Sequence, residues 1–380
     1  MTEPLAAVIL SAGFSSRMGD FKPLLRLGEE TALEKSVNLF RRAGIEHLQV
    51  ILGHQAELLM PLVAKLGVAH TVNPRYREGM FTSVQCAMRQ LPDSIGAFFL
   101  LPVDMPLVRE QTLQTVRKAW QTSDKGIVHP VFWGRRGHPP LISTSYRQMI
   151  LDSRREGGLK ALLLPFGEDS MEIEVPDEHC ILDMDRPQDY AYLRHRWDRY
   201  AMPSYRECEH LLAHHFAVSA PVAEHCRMVA RVALTLAVRL NRAGLPMDRE
   251  QLQAAGLLHD CCRQYPDHAI VAARALQELG FPKIAELVAT HMEIVPSASS
   301  DPSPHEVLYL ADKLVAGPHL VSLDDRFAAK RIRFADQASA LAAVERRQGI
   351  AQRILEKCEN RLRQSLADVL APDALEALKG

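Results

Sequence analysis

The 380-residue sequence has little of several features that would place it in a simple class. Its seven cysteines include no C-x-x-C pair, which argues against a disulfide framework and against a cysteine zinc site. Aromatic residues make up only 6% of the chain, and 45 lysines and arginines are balanced by 46 aspartates and glutamates. The resulting net charge of -1 creates no overall field for nucleic acid or for an anionic membrane, so we expect neither as a partner.

The first residues, MTEPLAAVILSAG, also have little of what a targeting signal needs. They carry no basic segment, and the apolar run at residues 5–10 is too short for a signal-peptide core or a membrane span. This pattern predicts a cytoplasmic protein.

Two kinds of hydrophobic periodicity divide the sequence. Up to about residue 190, short apolar runs alternate with amphipathic stretches, which is typical of an α/β fold with a mixed, mostly parallel sheet. From about residue 204, helical periodicity dominates and we predict no strand. Pro203 cannot continue a regular helix, so we predict an α/β domain at 1–200 and an all-helical domain at 204–380.

The predicted elements follow from these periods. In the first half we predict strands at 6–10, 48–52, 69–72, 97–101, 126–132, 140–143 and 171–175, and helices at 32–43, 55–66, 81–91 and 111–120. In the second half we predict helices at 205–215, 220–242, 249–259, 269–279, 282–291, 306–315 and 337–370. The Pro/Ser-rich segment 296–304 is interpreted as a connecting loop, with a lid as the alternative.

A glycine-containing loop follows the first predicted strand. Its sequence, SAGFSSRMGDFK, does not fit the Walker A pattern, but it combines flexible backbone, hydroxyl donors and fixed positive charge. Such a combination predicts a phosphate cradle, formed by Gly13, Ser15, Ser16, Arg17, Gly19 and Lys22.

Carboxylates follow at two later positions. Asp104 comes at the end of an apolar strand, where it can hold Mg²⁺ on a triphosphate or instead cap the next helix. Asp183 and Asp185 precede Pro187, the first residue of a predicted helix, and can complete the metal site or serve as caps.

Four segments, LSAGFSSRMGDFKPLL, LPVDMPLV, GRRGHPPLI and DMDRPQDY, together resemble the nucleotidyltransferases that complete molybdenum cofactor. The resemblance spans about residues 5–195. It is greatest to the molybdopterin cytidylyltransferase branch, because Ala12, rather than a second glycine, precedes Gly13, as in that branch. It implies a Rossmann-like nucleotidyltransferase fold and transfer of a nucleoside monophosphate from an NTP, with CTP favoured, to a phosphorylated acceptor such as molybdopterin. Sugar phosphates and polyol phosphates are alternative acceptors to molybdopterin.

The same resemblance implies roles for individual residues. Lys22 and Arg17 would stabilise the charge of the reacting phosphates, while Asp104 and Asp185 would hold Mg²⁺ with Asp183 as the alternate ligand. The implied nucleotide-binding residues are Leu10, Ala12, Gly13, Ser15, Ser16, Gly19, Asn73 and Ser83. Gly79 and His138 would bind the acceptor, and a structural role for His138 is the alternative.

The helical half contains a second set of chemically active residues. Imidazoles and carboxylates at the ends of successive helices can converge on a metal ion in the core of a helical bundle. The candidates for such a metal site are His225, His259, Asp260, His268, His291 and Asp312.

The order of His225, the His259-Asp260 pair and Asp312 resembles the HD-domain metal-dependent phosphohydrolases over about residues 205–365. His268 and His291 match the subgroup with two metals, and YLADKL is similar to a segment of HD-type nucleotide hydrolases, including those that cut dinucleoside polyphosphates. The resemblance implies one or two transition-metal ions (Mn, Fe, Ni or Zn), with Asp260 as a catalytic bridging ligand. Cys261-Cys262-Arg263 departs from the usual residues after the pair.

The sequence therefore predicts a bifunctional enzyme, a nucleotidyltransferase fused to a phosphohydrolase that acts on a nucleotide or phosphate ester. One alternative keeps the transferase, with another acceptor, and makes the helical half a sensor without turnover. Another alternative is a delivery protein that binds finished cofactor and docks on a molybdenum hydroxylase as partner.

Overall fold

The computed structural model describes residues 3–154, 156–371 and 373. Contacts between residues divide the chain into two compact units, Met1–Tyr200 and Ala201–Gly380. No helix in the described ranges combines the length and the apolar character needed to cross a bilayer.

The first unit is built on a mixed sheet. The strands of this unit are β1 (Leu5–Ser11), β2 (Arg26–Leu27), β3 (Glu30–Thr31), β4 (His47–Leu52), β5 (Ala69–Val72), β6 (Ala97–Pro102), β7 (Ile127–Phe132), β8 (Arg135–Arg136), β9 (Leu141–Ser143) and β10 (Ser170–Glu174). Strands β2 and β3 pair with each other in a separate two-stranded sheet. Its helices are α1 (Ala32–Arg42), α2 (Ala56–Leu66), α3 (Met80–Gln90), α4 (Glu110–Thr122), α5 (Arg147–Asp152), α6 (Gly158–Leu163) and α7 (Pro187–Asp198).

The strand order in the main sheet is β10-β7-β9-β6-β1-β4-β5, with β8 paired to β7. The pairs that β1 makes with β4 and β6 are parallel, whereas β9 runs antiparallel to both β6 and β7. Our prediction of a mixed, mostly parallel sheet is therefore confirmed. Alternate residues of β1 enter two different cores, Ala7 and Ile9 on one face and Val8 on the other, which explains why this strand is apolar throughout.

The second unit is helical. Its helices are α8 (Tyr205–His210), which continues into a π-helical turn (Leu211–His215), α9 (Ala220–Arg242), α10 (Arg249–Leu258), α11 (His268–Glu278), α12 (Pro282–Ala289), α13 (Pro304–Lys313), α14 (Leu323–Arg333), α15 (Ala338–Leu362) and α16 (Leu366–Val369). Helices α9 and α10 pack closely, with Gly256 against the backbone of Ala230. The prediction of a helical second half is confirmed as a fold class.

Three details of the helical unit differ from the sequence prediction. A two-residue pair of strands, β11 (Val315–Ala316) and β12 (His319–Leu320), forms where we predicted none. Helix α14 was not predicted, because only Leu323 and Phe327 of its eleven residues are buried and its apolar periodicity is weak. The long helix predicted at 337–370 ends at Leu362, since Arg363 adopts a left-handed conformation with φ of 53°.

Candidate functional sites

A cavity of about 340 Å³ lies at the carboxyl ends of β1 and β6. These strands are parallel neighbours with Leu10 opposite Pro102, so the glycine-containing loop after β1 and Asp104 after β6 emerge side by side. The backbone amide of Val103 donates to the carbonyl of Leu10 and keeps the two segments together beyond the sheet (3.0 Å). Topology thus brings residues 13–22 and Asp104 to one edge of the sheet, the usual ligand edge of such folds.

Lys22 is the centre of the polar contacts in this cavity. Its Nζ atom donates to Asp104 Oδ2 at 2.9 Å and to Asp185 Oδ1 at 2.7 Å. Arg17 reaches the other oxygen of Asp185 at 2.6 Å, and the backbone amide of Lys22 donates to Ser15 Oγ at 3.2 Å. Two carboxylates and two cations from distant parts of the sequence therefore form one network.

The charges in this network support one another. Burial by itself disfavours the charged ammonium, but attraction to Asp104 and hydrogen bonds to both carboxylates raise the pKa of Lys22. The hydrogen bond from Lys22 lowers the pKa of Asp185 against the opposing effect of burial. Burial and the nearby carboxylates of Asp185 and Asp104 raise the pKa of Asp183, which indicates an acidic environment around the pair.

The pair of Asp104 and Asp185 fits a divalent cation, because two carboxylates already converge on one positive group. Oxygen ligands of this kind are those that Mg²⁺ prefers in nucleotide sites.

Most residues predicted to bind nucleotide or metal in this unit line the cavity, but three do not. Gly19 supports the loop from outside it with φ of 82°, a conformation that favours glycine. Asn73 is buried and donates through Nδ2 to Thr82 (2.8 Å) and Ser83 (3.0 Å) near the start of α3. Asp183 also lies outside the lining. The predicted residues that line the cavity are Leu10, Ala12, Gly13, Ser15, Ser16, Arg17, Lys22, Gly79, Ser83, Asp104 and Asp185.

The two residues predicted to bind the acceptor lie in different cavities. Gly79 lines the cavity just described, whereas His138 lines a second one of about 780 Å³. Met80, the first residue of α3, lines both cavities and is 62% exposed. Burial lowers the pKa of His138, so its imidazole is neutral near pH 7.

Sequence reasoning missed an aromatic group at the first cavity. The rings of Phe14 and Tyr76 lie 5.4 Å apart, and the Arg77 guanidinium lies 5.4 Å from the Tyr76 ring. All three side chains line the cavity. Their positions offered a signal, because Phe14 is within the glycine-containing loop and the other two precede Gly79. Aromatic faces and a guanidinium at this place can stack on a planar base.

The helical unit brings its predicted metal ligands together at the ends of four helices and within α9. Two overlapping sets, His225 with His259 and Asp312, and His259 with Asp260 and His291, each have ligand atoms within 4.8 Å of one another. His268, at the start of α11, places Nε2 3.2 Å from Asp260 Oδ1. All six candidate ligands therefore surround one point.

The orientation of the imidazoles tests whether this cluster suits a metal. The Nδ1 atoms of His225, His259 and His291 face backbone carbonyls at 3.2, 2.8 and 2.7 Å, so each Nδ1 carries a proton and donates. Their Nε2 atoms consequently point toward the carboxylates of Asp260 and Asp312. A lone pair that faces a carboxylate is repelled by it unless a proton or a metal ion lies between them, and imidazoles held by a carbonyl in this way are typical metal ligands.

Three further observations bear on this fit. The Nε2 atoms of His259, His268 and His291 are buried and make no hydrogen bond. Burial alone would raise the pKa of Asp312, but neighbouring Lys313, His225 and His259 hold it well below its usual value. For the His291 imidazole, burial itself lowers the pKa. The lowered pKa values of Asp312 and His291 favour an ionised carboxylate and a neutral imidazole, whereas attraction to Asp260 raises the pKa of His259 against the effect of burial, so the carboxylates favour a positive charge beside its imidazole. A divalent transition metal takes donors of this kind and supplies that charge.

The fold and these two sites define a two-domain protein in which a nucleotidyltransferase unit precedes a helical unit of the metal-binding type. Residues 7–170 match the sequence profile of the MobA-like NTP transferase domain, and residues 222–317 match that of the HD domain. The chain therefore carries a MobA-like NTP transferase domain at its N-terminus and an HD domain at its C-terminus, which confirms both resemblances.

Individual known proteins are similar to the first unit. The molybdenum cofactor cytidylyltransferase of Escherichia coli (strain K12) is 28% identical over 193 residues, which are 50% of this chain and 95% of that protein. The bifunctional IPC transferase and DIPP synthase of Rubrobacter xylanophilus is 38% identical over 97 residues, 24% of this chain and 22% of that one. Among solved structures, Rv0371c from Mycobacterium tuberculosis H37Rv has a TM-score of 0.45 and 24% identity, covering 51% of this chain and all of that one.

Proposed function

We propose that the N-terminal unit transfers CMP from CTP to a phosphorylated acceptor, molybdopterin. The observation that carries the proposal is the position of Lys22, whose ammonium lies between Asp104 and Asp185 beside the glycine-containing loop. The relative from E. coli, aligned over 95% of its length, is the reason to favour CTP and molybdopterin over other substrates.

In the proposed reaction, a phosphate oxygen of the acceptor attacks the α-phosphorus of the NTP in line with the bond to the leaving pyrophosphate. The loop from Gly13 to Ser16 holds the triphosphate, while Lys22 and Arg17 offset the negative charge that grows on it. Asp104 and Asp185 would hold Mg²⁺, which when bound supplies further positive charge to the triphosphate. Positioning and charge therefore account for the catalysis, and no protein nucleophile is needed.

The second cavity is the proposed place of the acceptor. It adjoins the first one at Met80, and its walls contain apolar residues together with Arg135, Arg136 and Lys160. The neutral imidazole of His138 can exchange hydrogen bonds with a polar ring, and the cations suit a phosphorylated ligand.

For the helical unit we propose a metal-dependent phosphohydrolase that acts on a nucleotide or phosphate ester. One or two metal ions would be held by Asp260 together with His225, His259, His268, His291 and Asp312. Such ions, when bound, polarise phosphate oxygens and make a neighbouring water more acidic. The buried Nε2 atoms that face carboxylates are the observation that carries this part of the proposal.

The transferase proposal is tested by pyrophosphate release with CTP, Mg²⁺ and molybdopterin. Loss of the Lys22 ammonium in K22A removes a charge from the reacting phosphates, so we expect kcat to fall at least about a hundredfold, and D104A to fall similarly. Lys65, whose side chain is 75% exposed, provides the matched control K65A with unchanged kcat. Unchanged rates in K22A and D104A would remove the transferase assignment, and a panel of NTPs and acceptors decides the substrates.

The metal proposal is tested by elemental analysis of the purified protein. We expect one or two transition-metal ions per chain, and less than half of that content in D260A because a carboxylate ligand is lost. The control E224A changes an exposed acid next to His225 and should keep its metal. Metal-free, folded wild-type protein would contradict the proposal. A metal-loaded protein that hydrolyses no nucleotide or ester is a sensor, and capture of a molybdenum hydroxylase without NTP favours a delivery role.

A further inference from the structure

Lys22 contacts the same carboxylate oxygens that are proposed to hold Mg²⁺. Its Nζ atom lies 2.9 Å from Asp104 Oδ2 and 2.7 Å from Asp185 Oδ1. The other oxygen of Asp185 contacts Arg17 at 2.6 Å. Three of the four oxygens of this carboxylate pair therefore have a cationic partner from the chain itself. A metal ion that binds both carboxylates has to compete with the Lys22 ammonium for its ligands.

The two carboxylates are held together by more than the ammonium. The backbone amide of Met184 donates to the carbonyl of Asp104 at 2.9 Å, which joins the segment that carries Asp185 to the end of β6. The side chain of Met184 is fully buried in the core on one face of the sheet, so this connection is anchored. The pair of carboxylates consequently stays in place as a ready set of ligands when the ammonium moves away.

The Lys22 side chain has a second place to which its charge can move. It lines the cavity of about 340 Å³ together with Gly13, Ser15 and Ser16 of the loop proposed to hold the triphosphate. The backbone of Lys22 is tied to this loop by the hydrogen bond from its amide to Ser15 Oγ (3.2 Å). A lysine carries a point charge on a flexible four-carbon stem, so the ammonium can turn from the carboxylates to phosphates in the cavity while the backbone stays.

We propose that the Lys22 ammonium excludes a metal ion from Asp104 and Asp185 until a nucleotide binds. The phosphates of the nucleotide then attract the ammonium, and the carboxylates become free to hold the metal ion. The inference rests on the proposed nucleotidyl transfer and deepens it, because it gives the order in which the site is filled. The metal ion enters after the nucleotide or together with it, and not alone.

Charge and burial explain why the two cations exclude each other. If Lys22 stayed in place, a divalent ion at the carboxylates would lie next to the ammonium, and two positive groups at such a distance repel. The Lys22 side chain is only 12% exposed, so water and salt screen this repulsion poorly. Arg17, which is 66% exposed, can turn into solvent and hinders the metal ion much less. A bound triphosphate removes the conflict because it places anionic oxygens beside both cations.

The size of the effect follows from the population of free carboxylates. Without nucleotide, the apparent affinity for the metal ion is reduced to the fraction of molecules in which the ammonium has moved away. A tenfold weakening thus means free carboxylates in about one molecule in ten. Linkage makes the effect reciprocal, so the nucleotide raises the affinity for the metal ion by the same factor by which the metal ion raises the affinity for the nucleotide.

The test measures binding of Mn²⁺ to the full chain without nucleotide, by electron paramagnetic resonance of the free ion. Each protein is compared with the same protein carrying D104A, and the difference gives the binding that depends on Asp104, because ions held by the helical unit cancel. We expect K22M, which keeps an apolar stem and loses the charge, to bind Mn²⁺ in this difference at least about tenfold more tightly than wild type. K22R keeps a cation and should bind as weakly as wild type.

Two controls separate local exclusion from a general effect of charge. R17Q removes an equal charge that contacts Asp185 from an exposed position, so it should tighten Mn²⁺ binding at most about threefold. K65M removes the charge of an exposed lysine away from the cavity and should bind as wild type does. Equal tightening in R17Q and K22M would show a general effect of charge and overturn the inference.

A second measurement on the wild-type chain does not depend on how the variants fold. The nucleotide analogue α,β-methylene-CTP, whose bridge resists transfer, should raise the Asp104-dependent affinity for Mn²⁺ at least about tenfold. Binding that is as tight without the analogue as with it would overturn the inference.

The inference and the transferase proposal fail in different ways. If folded K22M binds Mn²⁺ as weakly as wild type and releases no pyrophosphate, the exclusion by Lys22 is wrong and the transferase proposal stands. If K22M releases pyrophosphate at the wild-type rate, the transferase proposal itself is contradicted.

Discussion

Gly256 offers a sharp test of how the metal cluster is positioned. In the substitution G256A, the added Cβ would lie 2.6 Å from Ala230 Cα and 2.9 Å from its backbone nitrogen. Backbone cannot swing aside as a side chain can, so α9 and α10 must separate by about 0.8 Å to reach ordinary contact at 3.4 Å. Overpacking of this kind costs ~1–3 kcal/mol. The gain in helix propensity from Gly to Ala is ~1 kcal/mol, which leaves a net loss of up to about 2 kcal/mol.

The same shift reaches the metal ligands. The carbonyl of Gly256 accepts the Nδ1 proton of His259 at 2.8 Å, and Asp260 follows directly along the chain. We therefore expect G256A to lower both the unfolding free energy of the helical unit and its metal affinity. The assay is hydrogen exchange across a urea titration, followed in peptides of Ala220–Arg242 so that the helical unit is measured separately from the first unit.

The chain supplies a matched control for this prediction. Gly349 is an exposed glycine within α15, and a Cβ there meets nothing within 4 Å. G349A should stabilise the helical unit by up to about 1 kcal/mol and leave metal binding unchanged. If G256A is as stable as G349A and binds metal as tightly as wild type, the argument from helix packing to ligand position is refuted.

Two further predictions concern the first unit. Burial, with repulsion from Arg136, lowers the pKa of His129 to about 4, below the usual value of 6.5. As the pH falls, His129 therefore takes up a proton in the unfolded chain before it does so in the folded protein. The free energy of unfolding should consequently decrease as the pH drops from 6.5 toward 4. Urea midpoints between pH 4 and 7 should depend less on pH in H129Q, and an identical slope would contradict this. T31A removes the hydroxyl that caps α1 by accepting from the Glu34 amide (3.2 Å), at a cost of ~1 kcal/mol in unfolding free energy. Thr122 near the end of α4 serves as the control, since its hydroxyl donates to the carbonyls of Lys118 and Ala119 in its own helix and caps no amide. Equal losses in T31A and T122A would argue against the cap.

Much of the fold was predictable because the signals are local. The apolar run that became β1 is buried on both faces, and such strands are apolar without alternation. The helical periods of α9 and α10 reflect one face that packs in the core. Helix α14 was not predicted, because it buries only Leu323 and Phe327 and therefore has a weak apolar periodicity.

The candidate sites were predictable to different degrees. Asp260 was a candidate ligand because it stands beside His259 after an apolar run, a pattern visible within a few residues. The position of His138 could not be predicted from the sequence, since only the arrangement of strands around β9 places it in a different cavity from Gly79. The aromatic contact between Phe14 and Tyr76 likewise joins two loops that are distant in sequence.

By itself, the sequence determined the two classes of domain and the identity of the residues proposed to bind phosphate and metal, because spacing along a strand or helix is a local property. Tertiary structure decided which of those residues meet. The parallel pairing of β1 with β6 brings Lys22 to Asp104, and the packing of α14 beside the metal cluster brings Arg326 to within 4.0 Å of Asp312. Charges so far apart in the chain become neighbours only through packing of the core, which no local pattern encodes.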